Sequence, residues 1–392
     1  MEKEKNKMKV LYSCQSVVEF DGINYYSNPV LAAYRRYNVI GKEMTVLCFK
    51  KNVEIAKSDA ISIPSLRFLF VKKVNSIKSI IMNYQKENEK LVKEQVRNAD
   101  LCIVNLPNFH GNLVVKYAKK YHKPYMTVIT GSIWDGYWNY GLRGKLMAPF
   151  AYYKMRMAQK NAPFSIYVTK QYLQSMYPTR GMSIGCSDAD IKTGIEWVLE
   201  KRLLQISKIG LEKRPLRIGT VGAVNVPYKG HKYVIRAMSI LRKSGLVFEY
   251  HLLGKGDNTT LKQLAEKEGV LDLIVFHGQI PHEEVLSFYD DIDIYCQPSL
   301  TEGLPRSVVE AMSRGCLCMG SKVGGIPELI DSKFLFEKGD VFKIISILRS
   351  ITPQILKEEA ESNFEKAKEY DINALNMIRQ SFLSDFKKSL QF

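Results

Sequence analysis

The segment Pro298-Ser-Leu-Thr-Glu302-Gly-Leu-Pro305-Arg-Ser-Val-Val-Glu310-Ala-Met places two carboxylates eight positions apart across a predicted loop-to-helix junction. Pro305 suits the first position of a helix, because the amide hydrogen that proline lacks would have no partner there. The pattern predicts a helix from about Pro305 to Ser313, with Glu310 about 10 Å along the face that begins at the loop. Free N–H groups at a helix start suit phosphate, and carboxylates suit sugar hydroxyls, so the segment indicates a nucleotide-sugar site.

Further motifs surround the two glutamates in a fixed order. Gln297-Pro-Ser precedes Glu302-Gly-Leu-Pro-Arg, and Glu310-Ala-Met and Gly324-Gly-Ile-Pro-Glu328 follow. This set resembles the donor-binding half of the family 4 retaining glycosyltransferases, which have the two-domain GT-B fold. The resemblance implies an α/β protein in which two doubly wound, Rossmann-like domains face a central cleft. It covers nearly all of the second half of the chain, and the first half only by strand order.

The resemblance also implies roles for the residues of this segment. Glu302 is expected at the donor sugar as the catalytic residue, and Glu310 at the ribose. The amides of Gly303 and Leu304 are expected to hold the sugar hydroxyls or the diphosphate. The alternative interpretation is an ordinary helix start whose acidic residues are favoured by the helix dipole.

Positive charge is needed where the diphosphate departs, because negative charge develops there in the transition state. The family usually supplies an arginine and a lysine in a Gly-Arg-x5-Lys-Gly loop. Here the loop begins at Gly222, Ala223 stands in place of the arginine, and Lys229 matches the lysine. Arg306 is the candidate that would compensate for Ala223. Lys229 as a plain surface lysine and Arg306 as a solvent-facing side chain are the alternatives.

Two Asp-x-Asp segments, Asp188-Ala-Asp190 and Asp291-Ile-Asp293, match the metal-binding signature of another large transferase fold. Structural or surface roles are expected for both, because a helix start and Lys229 can replace a cation at the diphosphate. We therefore expect neither a metal requirement nor a cofactor, with the nucleotide-sugar acting as a substrate.

Candidates for the acceptor side lie in the first half of the chain. Gly22 matches the family's glycine that lets the backbone approach the reacting centre. Many relatives carry a histidine where this chain has Thr130. Asn24, His110 and Asp135 are the nearby polar candidates, and a structural role is the favoured interpretation for each. Retaining transfer needs no protein base if the departing phosphate takes the acceptor's proton.

Short β-rich runs separated by helices predict two parallel-sheet units. The strands are predicted at 9–14, 44–49, 100–105, 125–130 and 164–169, and then at 216–221, 248–253, 273–276, 292–296 and 317–320. We divide the chain into an acceptor-binding domain at 1–205, a donor-binding domain at 206–371 and a C-terminal helix at 372–392 that crosses back to the first domain. The polar stretch 200–215 is interpreted as the linker.

The formal charge of +17 lies mainly in the first half of the chain. Residues 1–200 carry 30 Lys and Arg against 16 Asp and Glu, and the rest carry 27 against 24. This asymmetry suggests an anionic partner, such as a membrane surface or a lipid pyrophosphate, or only solubility. No nucleic-acid-binding signature accompanies it, so nucleic acid is the least favoured partner.

Two basic, apolar stretches, 65–82 and 145–157, resemble interfacial helices, and packing on the protein's own core is the alternative for each. No apolar run reaches the length of a membrane span, and residues 10–14 are interpreted as a first strand rather than a signal peptide. Seven cysteines without a Cys-x-x-Cys pair indicate a reduced, cytoplasmic protein, and its basic half suggests a peripheral place on the inner face of the plasma membrane.

Together these features predict a retaining, metal-independent glycosyltransferase. It would move a sugar from a UDP- or GDP-sugar to a saccharide acceptor, and the expected acceptor is a lipid-linked oligosaccharide of surface polysaccharide biosynthesis. Two alternatives stay open. A GT-B-fold nucleotide-sugar epimerase or hydrolase would turn over the donor without an acceptor. A catalytically silent nucleotide-sugar-binding protein would bind the donor without transfer, as Ala223 and Thr130 suggest.

Overall fold

The computed structural model describes residues 8–56, 59–73, 86–139, 141–209, 214–281 and 284–390. The chain divides into two compact units. Unit 1 runs to Cys186 and resumes at Asn376, and unit 2 runs from Ser187 to Leu375. Each unit is an α/β structure built around its own sheet.

The described part of unit 1 contains an eight-stranded sheet in the order β4-β3-β1-β5-β6-β7-β8, with the short β2 paired to β1. The pairs are parallel apart from the β1–β2 hairpin. Its strands are β1 Lys9–Phe20, β2 Tyr25–Tyr26, β3 Glu43–Asn52, β4 Leu66–Phe70, β5 Leu101–Leu106, β6 Tyr125–Ile129, β7 Phe164–Tyr167 and β8 Met182–Gly185. Its helices are α1 Asn28–Tyr37, α2 Lys86–Asn98, α3 Phe109–Lys120, α4 Ile133–Trp138, α5 Gly141–Gln159 and α6 Tyr172–Met176.

The sheet of unit 2 is parallel throughout its described strands, in the order β11-β10-β9-β12-β13-β14. Its strands are β9 Leu216–Val221, β10 Phe248–Leu253, β11 Ile274–Gly278, β12 Ile294–Gln297, β13 Leu317–Ser321 and β14 Leu335–Phe336. Its helices are α7 Glu196–Lys208, α8 His231–Lys243, α9 Thr259–Lys267, α10 Val285–Asp291, α11 Arg306–Ser313, α12 Ile326–Leu329, α13 Val341–Ser350 and α14 Pro353–Ala367. Buried aliphatic side chains dominate the central strands, as expected for a sheet covered on both faces.

The last helix, α15, is Ile372–Ser389. From Asn376 onward it belongs to unit 1. Phe382 and Phe386 place their rings 5.6 and 4.9 Å from the ring of Phe164 on β7. The predicted return of the C-terminal helix to the first unit is therefore confirmed.

The predicted linker at 200–215 is wrong for residues 200–208, which are the greater part of helix α7. Arg202 holds this helix on unit 2, because its buried guanidinium donates to the carbonyl oxygens of Tyr289, Ile292 and Arg314 at 2.6–3.0 Å. The polar sequence around Arg202 predicts a solvent-exposed side chain, whereas the structure buries this side chain and hydrogen-bonds it to three backbone carbonyls. The first unit ends at Cys186, whereas the sequence predicts a boundary after residue 205.

The basic, apolar stretch 65–82 is not a helix where the structure describes it. Leu66–Phe70 is strand β4, paired in parallel with β3 at the end of the sheet order. The ring of Tyr25 lies 4.9 Å from that of Phe68 and 5.8 Å from that of Phe70, so these side chains pack on the hairpin. Residues 74–82 lie outside the described residues. The second stretch, 145–157, does form a helix, within α5.

Candidate active site

The strand order of unit 2 reverses between β9 and β12. The chain proceeds from β9 through β10 to β11 on one side, and from β12 through β13 to β14 on the other. In open parallel sheets, ligands bind outside the carboxyl ends of the strands at this switch point. The loop after β9 begins at Gly222, and the loop after β12 begins at Pro298, so both motif-bearing loops lie there.

The two loops are joined by backbone contacts. The amide of Leu300 donates to the carbonyl oxygen of Tyr228 at 2.7 Å. Gly230 has a φ of +78°, and a Cβ at this position would lie 1.9 Å from the carbonyl oxygen of Pro298. Only glycine permits both the left-handed backbone and this close approach. The loop carrying Lys229 is thereby held against the loop carrying Glu302.

Lys229 and Glu302 meet between these loops. Lys229 Nζ donates to Glu302 Oε1 at 2.7 Å, and the two side chains are 20% and 13% exposed. Because both groups are largely withdrawn from water, this ion pair is less screened than a surface pair. The structure therefore brings together the two residues that the sequence predicted for the phosphate and the sugar.

Gln297, at the end of β12, fixes the orientation of Glu302. Its Oε1 accepts from the hydroxyls of Tyr295 at 2.6 Å and Ser307 at 3.1 Å. With the carbonyl oxygen taken by two donors, the amide nitrogen faces Ser299 Oγ and Glu302 Oε1, each at 2.9 Å. Gln297 belongs to a sequence motif from which no role for it is predicted. Its position directly before Pro298-Ser299 was the available signal.

Glu310 lies one turn into α11 and accepts a hydrogen bond from the hydroxyl of Tyr289 at 2.8 Å. Burial and the nearby Glu310 carboxylate raise the pKa of Tyr289, which keeps the hydroxyl protonated as a donor. Burial also raises the pKa of Tyr295, with smaller contributions from both Glu310 and Glu302. Both glutamates thus act on one buried tyrosine, although their hydrogen-bond partners differ.

The start of α11 differs slightly from the prediction. The helix begins at Arg306, and Pro305 is the N-cap with an extended backbone rather than the first helical residue. Gly303 is half-buried and accepts from the amide of Gly325 at 2.6 Å, Leu304 is buried, and Arg306 is exposed. The first helical amides follow Pro305 and lack partners within the helix.

Glycines also bring the remaining loops close to this site. A Cβ on Gly324, whose φ is +58°, would lie 2.1 Å from the carbonyl oxygen of Glu302.

The Nε2 of His231 lies 3.2 Å from the carbonyl oxygen of Ala223, and burial lowers the pKa of His231 to about 4. A neutral buried imidazole thus supports the loop at Ala223.

The acceptor-side candidates of unit 1 have separate structural partners. His110 is buried, and its Nε2 lies 2.9 Å from the carbonyl oxygen of Cys14 and 3.2 Å from that of Leu47. Burial lowers the pKa of His110 to about 4. Asp135 accepts from the hydroxyl of Tyr172 at 2.5 Å.

Gly22 and Asn24 lie on the exposed turn between β1 and β2. The amide of Asn24 donates to Asp21 Oδ1 at 2.7 Å, and Gly22 has a φ of +106° with no atom within 4 Å of a built Cβ. The positive φ at position 22 therefore favours glycine there, whereas a side chain at this position would meet no neighbouring atom.

Asp293, in the second Asp-x-Asp segment, has structural partners. Asp293 pairs with both terminal nitrogens of Arg214 at 2.7 and 2.9 Å and accepts from the amide of Arg217 at 2.8 Å. Within the described ranges, no group of three or more His, Cys, Asp or Glu side chains is arranged to hold a metal ion.

Comparison with known proteins gives the family. The sequence profile described as "Glycosyl transferases group 1" matches residues 202–369. Protein CapJ of Staphylococcus aureus is 30% identical over 391 residues, which is 97% of this chain and 96% of CapJ. The amylovoran biosynthesis glycosyltransferase AmsK of Erwinia amylovora is 37% identical over 145 residues, which is 34% of this chain and 35% of AmsK. The chain belongs to the group 1 glycosyltransferases.

A solved structure supports the fold. Anabaena Alr3699/HepE, in complex with UDP and glucose, matches 96% of this chain and 99% of its own with a TM-score of 0.65 at 16% identity. The predicted class of two parallel-sheet, Rossmann-like domains of the GT-B type is confirmed. In the part of the chain that the structure describes, no helix is both long and apolar enough to cross a membrane.

Proposed function

We propose that this glycosyltransferase moves the sugar of a UDP- or GDP-sugar to an acceptor hydroxyl with retention of anomeric configuration and without a metal ion. The observation that carries the proposal is the contact of Lys229 with Glu302 at the switch point, beside the start of α11. HepE was solved with UDP and glucose, which supports a uridine diphosphate donor as the first to test.

Each group then has a chemical task. The bond between the anomeric carbon and the phosphate oxygen breaks, and the negative charge on the departing diphosphate meets the Lys229 ammonium and the first amides of α11. The acceptor oxygen bonds to the same face of the anomeric carbon, and its proton passes to the departing phosphate. Glu302 lies at the sugar ring, and Glu310 accepts from the ribose hydroxyls. The lysine and the helix start supply the positive charge that a metal would otherwise provide.

The proposed acceptor is a saccharide of surface polysaccharide biosynthesis, carried on a lipid. AmsK, which is 37% identical over 34% of this chain, is named for amylovoran biosynthesis. The basic first half is suited to an anionic membrane surface. We therefore place the protein in the cytoplasm, peripheral to the inner face of the plasma membrane.

The test compares wild type with Glu302→Ala, using Glu337→Ala as a control because Glu337 is an exposed glutamate of the same unit. We expect Glu302→Ala to lower turnover about 100-fold or more while changing nucleotide affinity much less. NMR should show that the transferred sugar has the same anomeric configuration in the product as in the donor. EDTA should leave the transfer rate unchanged.

Each element of the proposal can fail separately. A wild-type rate in Glu302→Ala would remove its catalytic role. An inverted product would exclude retention, and a rate lost in EDTA would exclude metal independence. Donor turnover that needs no acceptor would favour the epimerase or hydrolase, and donor binding without transfer would favour the silent binding protein.

A further inference from the structure

Helix α5 of unit 1 is apolar on two opposite sides. One side is buried, and its members include Met147, Ala148, Ala151 and Met155. The other side carries five large exposed apolar side chains, which we call the α5 outer stripe: Leu142 (77% exposed), Leu146 (67%), Phe150 (53%), Tyr153 (64%) and Met157 (48%).

The spacing of these five residues makes the stripe continuous. They follow one another at intervals of four, four, three and four residues, which keeps them on one side of an α-helix. A single exposed apolar side chain is ordinary on a protein surface, whereas a contiguous patch marks an interaction site. The stripe runs along nearly the whole helix, so the partner presents an extended apolar surface.

Basic residues border the stripe. Arg143, Lys145, Lys154 and Arg156 belong to the same helix, and we call them the basic border. Helical geometry puts Arg143 and Lys154 on one side of the stripe and Lys145 and Arg156 on the other. The helix has no acidic residue. Residues 101–186 carry eleven Lys and Arg against one acidic residue, Asp135, which accepts from Tyr172.

A groove of about 350 Å³ adjoins the stripe between α2, α3 and α5. Lys116, Lys119 and Lys154 line it, together with Tyr153 and Met157 of the stripe. Lys116 pairs at 2.9 Å with Glu89, which also lines the groove, and Lys119 donates to the carbonyl oxygen of Ala158 at 3.1 Å. Burial lowers the pKa of both Lys119 and Lys154. An anion in the groove would offset this desolvation of the two ammonium groups.

We propose that the α5 outer stripe and its basic border dock this protein on an anionic lipid bilayer, with the helix parallel to the membrane plane. The apolar side chains enter the boundary between head groups and acyl chains, while the basic border and the groove contact lipid phosphates. The combination of a long apolar stripe with cations on both sides favours an anionic lipid bilayer as the partner, because an apolar protein partner would not need positive charge along both margins.

This inference builds on the proposed membrane-peripheral transferase and names the surface and the ligand class. The N-cap of helix α4 is Ser132, just beyond the carboxyl end of β6, and α5 is the next helix along the chain. The docked helix would therefore hold the loop edge of the unit 1 sheet near the lipid head groups, where the saccharide of a lipid-linked acceptor lies.

The test is flotation of the full chain, without donor, on vesicles of phosphatidylcholine alone or mixed equally with phosphatidylglycerol. Wild type should float with the anionic vesicles and detach at high salt. Leu146→Ser with Phe150→Ser should weaken binding about tenfold or more, and Lys145→Glu with Arg156→Glu should weaken it similarly. Phe342→Ser, which changes an apolar residue 78% exposed on α13 of unit 2, should bind as wild type.

A second measurement reports insertion directly. The three native tryptophans give every variant the same background emission. Above that background, tryptophan introduced as Phe150→Trp should add emission that lipids brominated in their acyl chains quench, whereas tryptophan introduced as Phe342→Trp should add emission that they do not quench. Nucleotide-induced thermal stabilisation, which does not require a membrane, should be the same in the stripe variants and in wild type. Failure of docking is thus separated from failure of the proposed transferase.

Three outcomes would overturn the proposal: binding that survives both double variants, equal quenching at positions 150 and 342, or a wild-type dimer that Leu146→Ser with Phe150→Ser converts to a monomer. The last result would make the stripe a contact between copies of this chain.

Discussion

The ammonium of Lys229 donates to the carboxylate of Glu302 at 2.7 Å, across two loops that follow neighbouring strands of one sheet. The two residues are 73 positions apart in the chain. Lysine has three donors, so it can contact a phosphate while retaining Glu302. In the proposed mechanism, the pair links the cation at the leaving phosphate to the carboxylate at the sugar.

Replacing Lys229 by alanine should weaken donor binding, because the diphosphate loses its nearest cation. A nucleotide at a hundred times its dissociation constant stabilises wild type by about 2.7 kcal/mol, which is a shift of several degrees in a thermal melt. We expect one of UDP, GDP or ADP to give this shift and Lys229→Ala to lose it. Lys333→Ala is the matched control, since Lys333 also pairs at 2.7 Å, with Glu359. An undiminished shift in Lys229→Ala would contradict the assignment.

Gln297→Leu should lower turnover more than nucleotide affinity. The substitution removes the amide that orients Glu302 and leaves the hydroxyls of Tyr295 and Ser307 without their acceptor. We expect turnover to fall about 10- to 100-fold and stability to fall by about 1–3 kcal/mol. Steady-state kinetics and urea unfolding measure the two effects.

Asn363→Leu separates these two effects. Asn363 is a buried amide of the same unit that donates to the carbonyl oxygen of Cys316 at 2.9 Å, so its loss should lower stability without a specific loss of turnover. Equal losses of turnover in the two variants would mean that Gln297 acts on stability alone.

Tyr289→Phe should weaken nucleotide binding by about three- to tenfold, because Glu310 loses the hydroxyl that holds its carboxylate. Turnover at saturating donor should change little. Isothermal titration with the preferred nucleotide is the measurement. Tyr167→Phe removes an equally buried hydroxyl hydrogen bond in unit 1 and should leave affinity unchanged. Unaltered affinity in Tyr289→Phe would argue against Glu310 at the ribose.

Stability should fall as the pH drops from about 6.5 to about 4. Burial lowers the pKa of His110 and His231 from 6.5 to about 4, so the folded protein keeps both imidazoles neutral where the unfolded chain binds protons. The contribution of the neutral imidazoles to the free energy of unfolding is complete above pH 6.5 and is lost as the pH falls to about 4. At pH 5 the loss is about 2 kcal/mol per histidine. Urea midpoints at pH 7 and pH 5 should differ less in His110→Gln and His231→Gln than in wild type. The exposed His122→Gln should show the wild-type difference.

The sequence predicted the central strands and the motif-bearing loops because both depend on local patterns. Runs such as Phe248–Leu253 and Leu317–Ser321 are rich in large apolar residues and are followed by glycine or a polar loop, a pattern that is typical of a parallel sheet. The outer strands β8 and β14 were not predicted, because Met182-Ser-Ile-Gly185 contains no apolar run and two residues of β14 are too few to show a period. Arg202 was assigned to a linker because its charge pattern resembles that of a solvated residue, although three backbone carbonyls accept from it.

The sequence of helix α5 is compatible both with membrane contact and with packing on the core. Apolar residues occur on both sides of the helix, so the sequence does not distinguish the side that packs on the core from the side that faces outward. Only the exposure of Leu146 and Phe150, against the burial of Met147 and Ala151, separates the two.

The sequence by itself determined the family, the parallel-sheet class, and the residue types at the candidate site, because glycine, proline and glutamate have local conformational and chemical requirements. The tertiary structure decided which of these residues meet. Lys229 reaches Glu302, Gln297 orients it, and Tyr289 holds Glu310 because strands distant in the chain become neighbours in a sheet. Hydrogen bonds and ion pairs act over a few ångströms of space, and a strand order that reverses at β9 and β12 supplies that proximity.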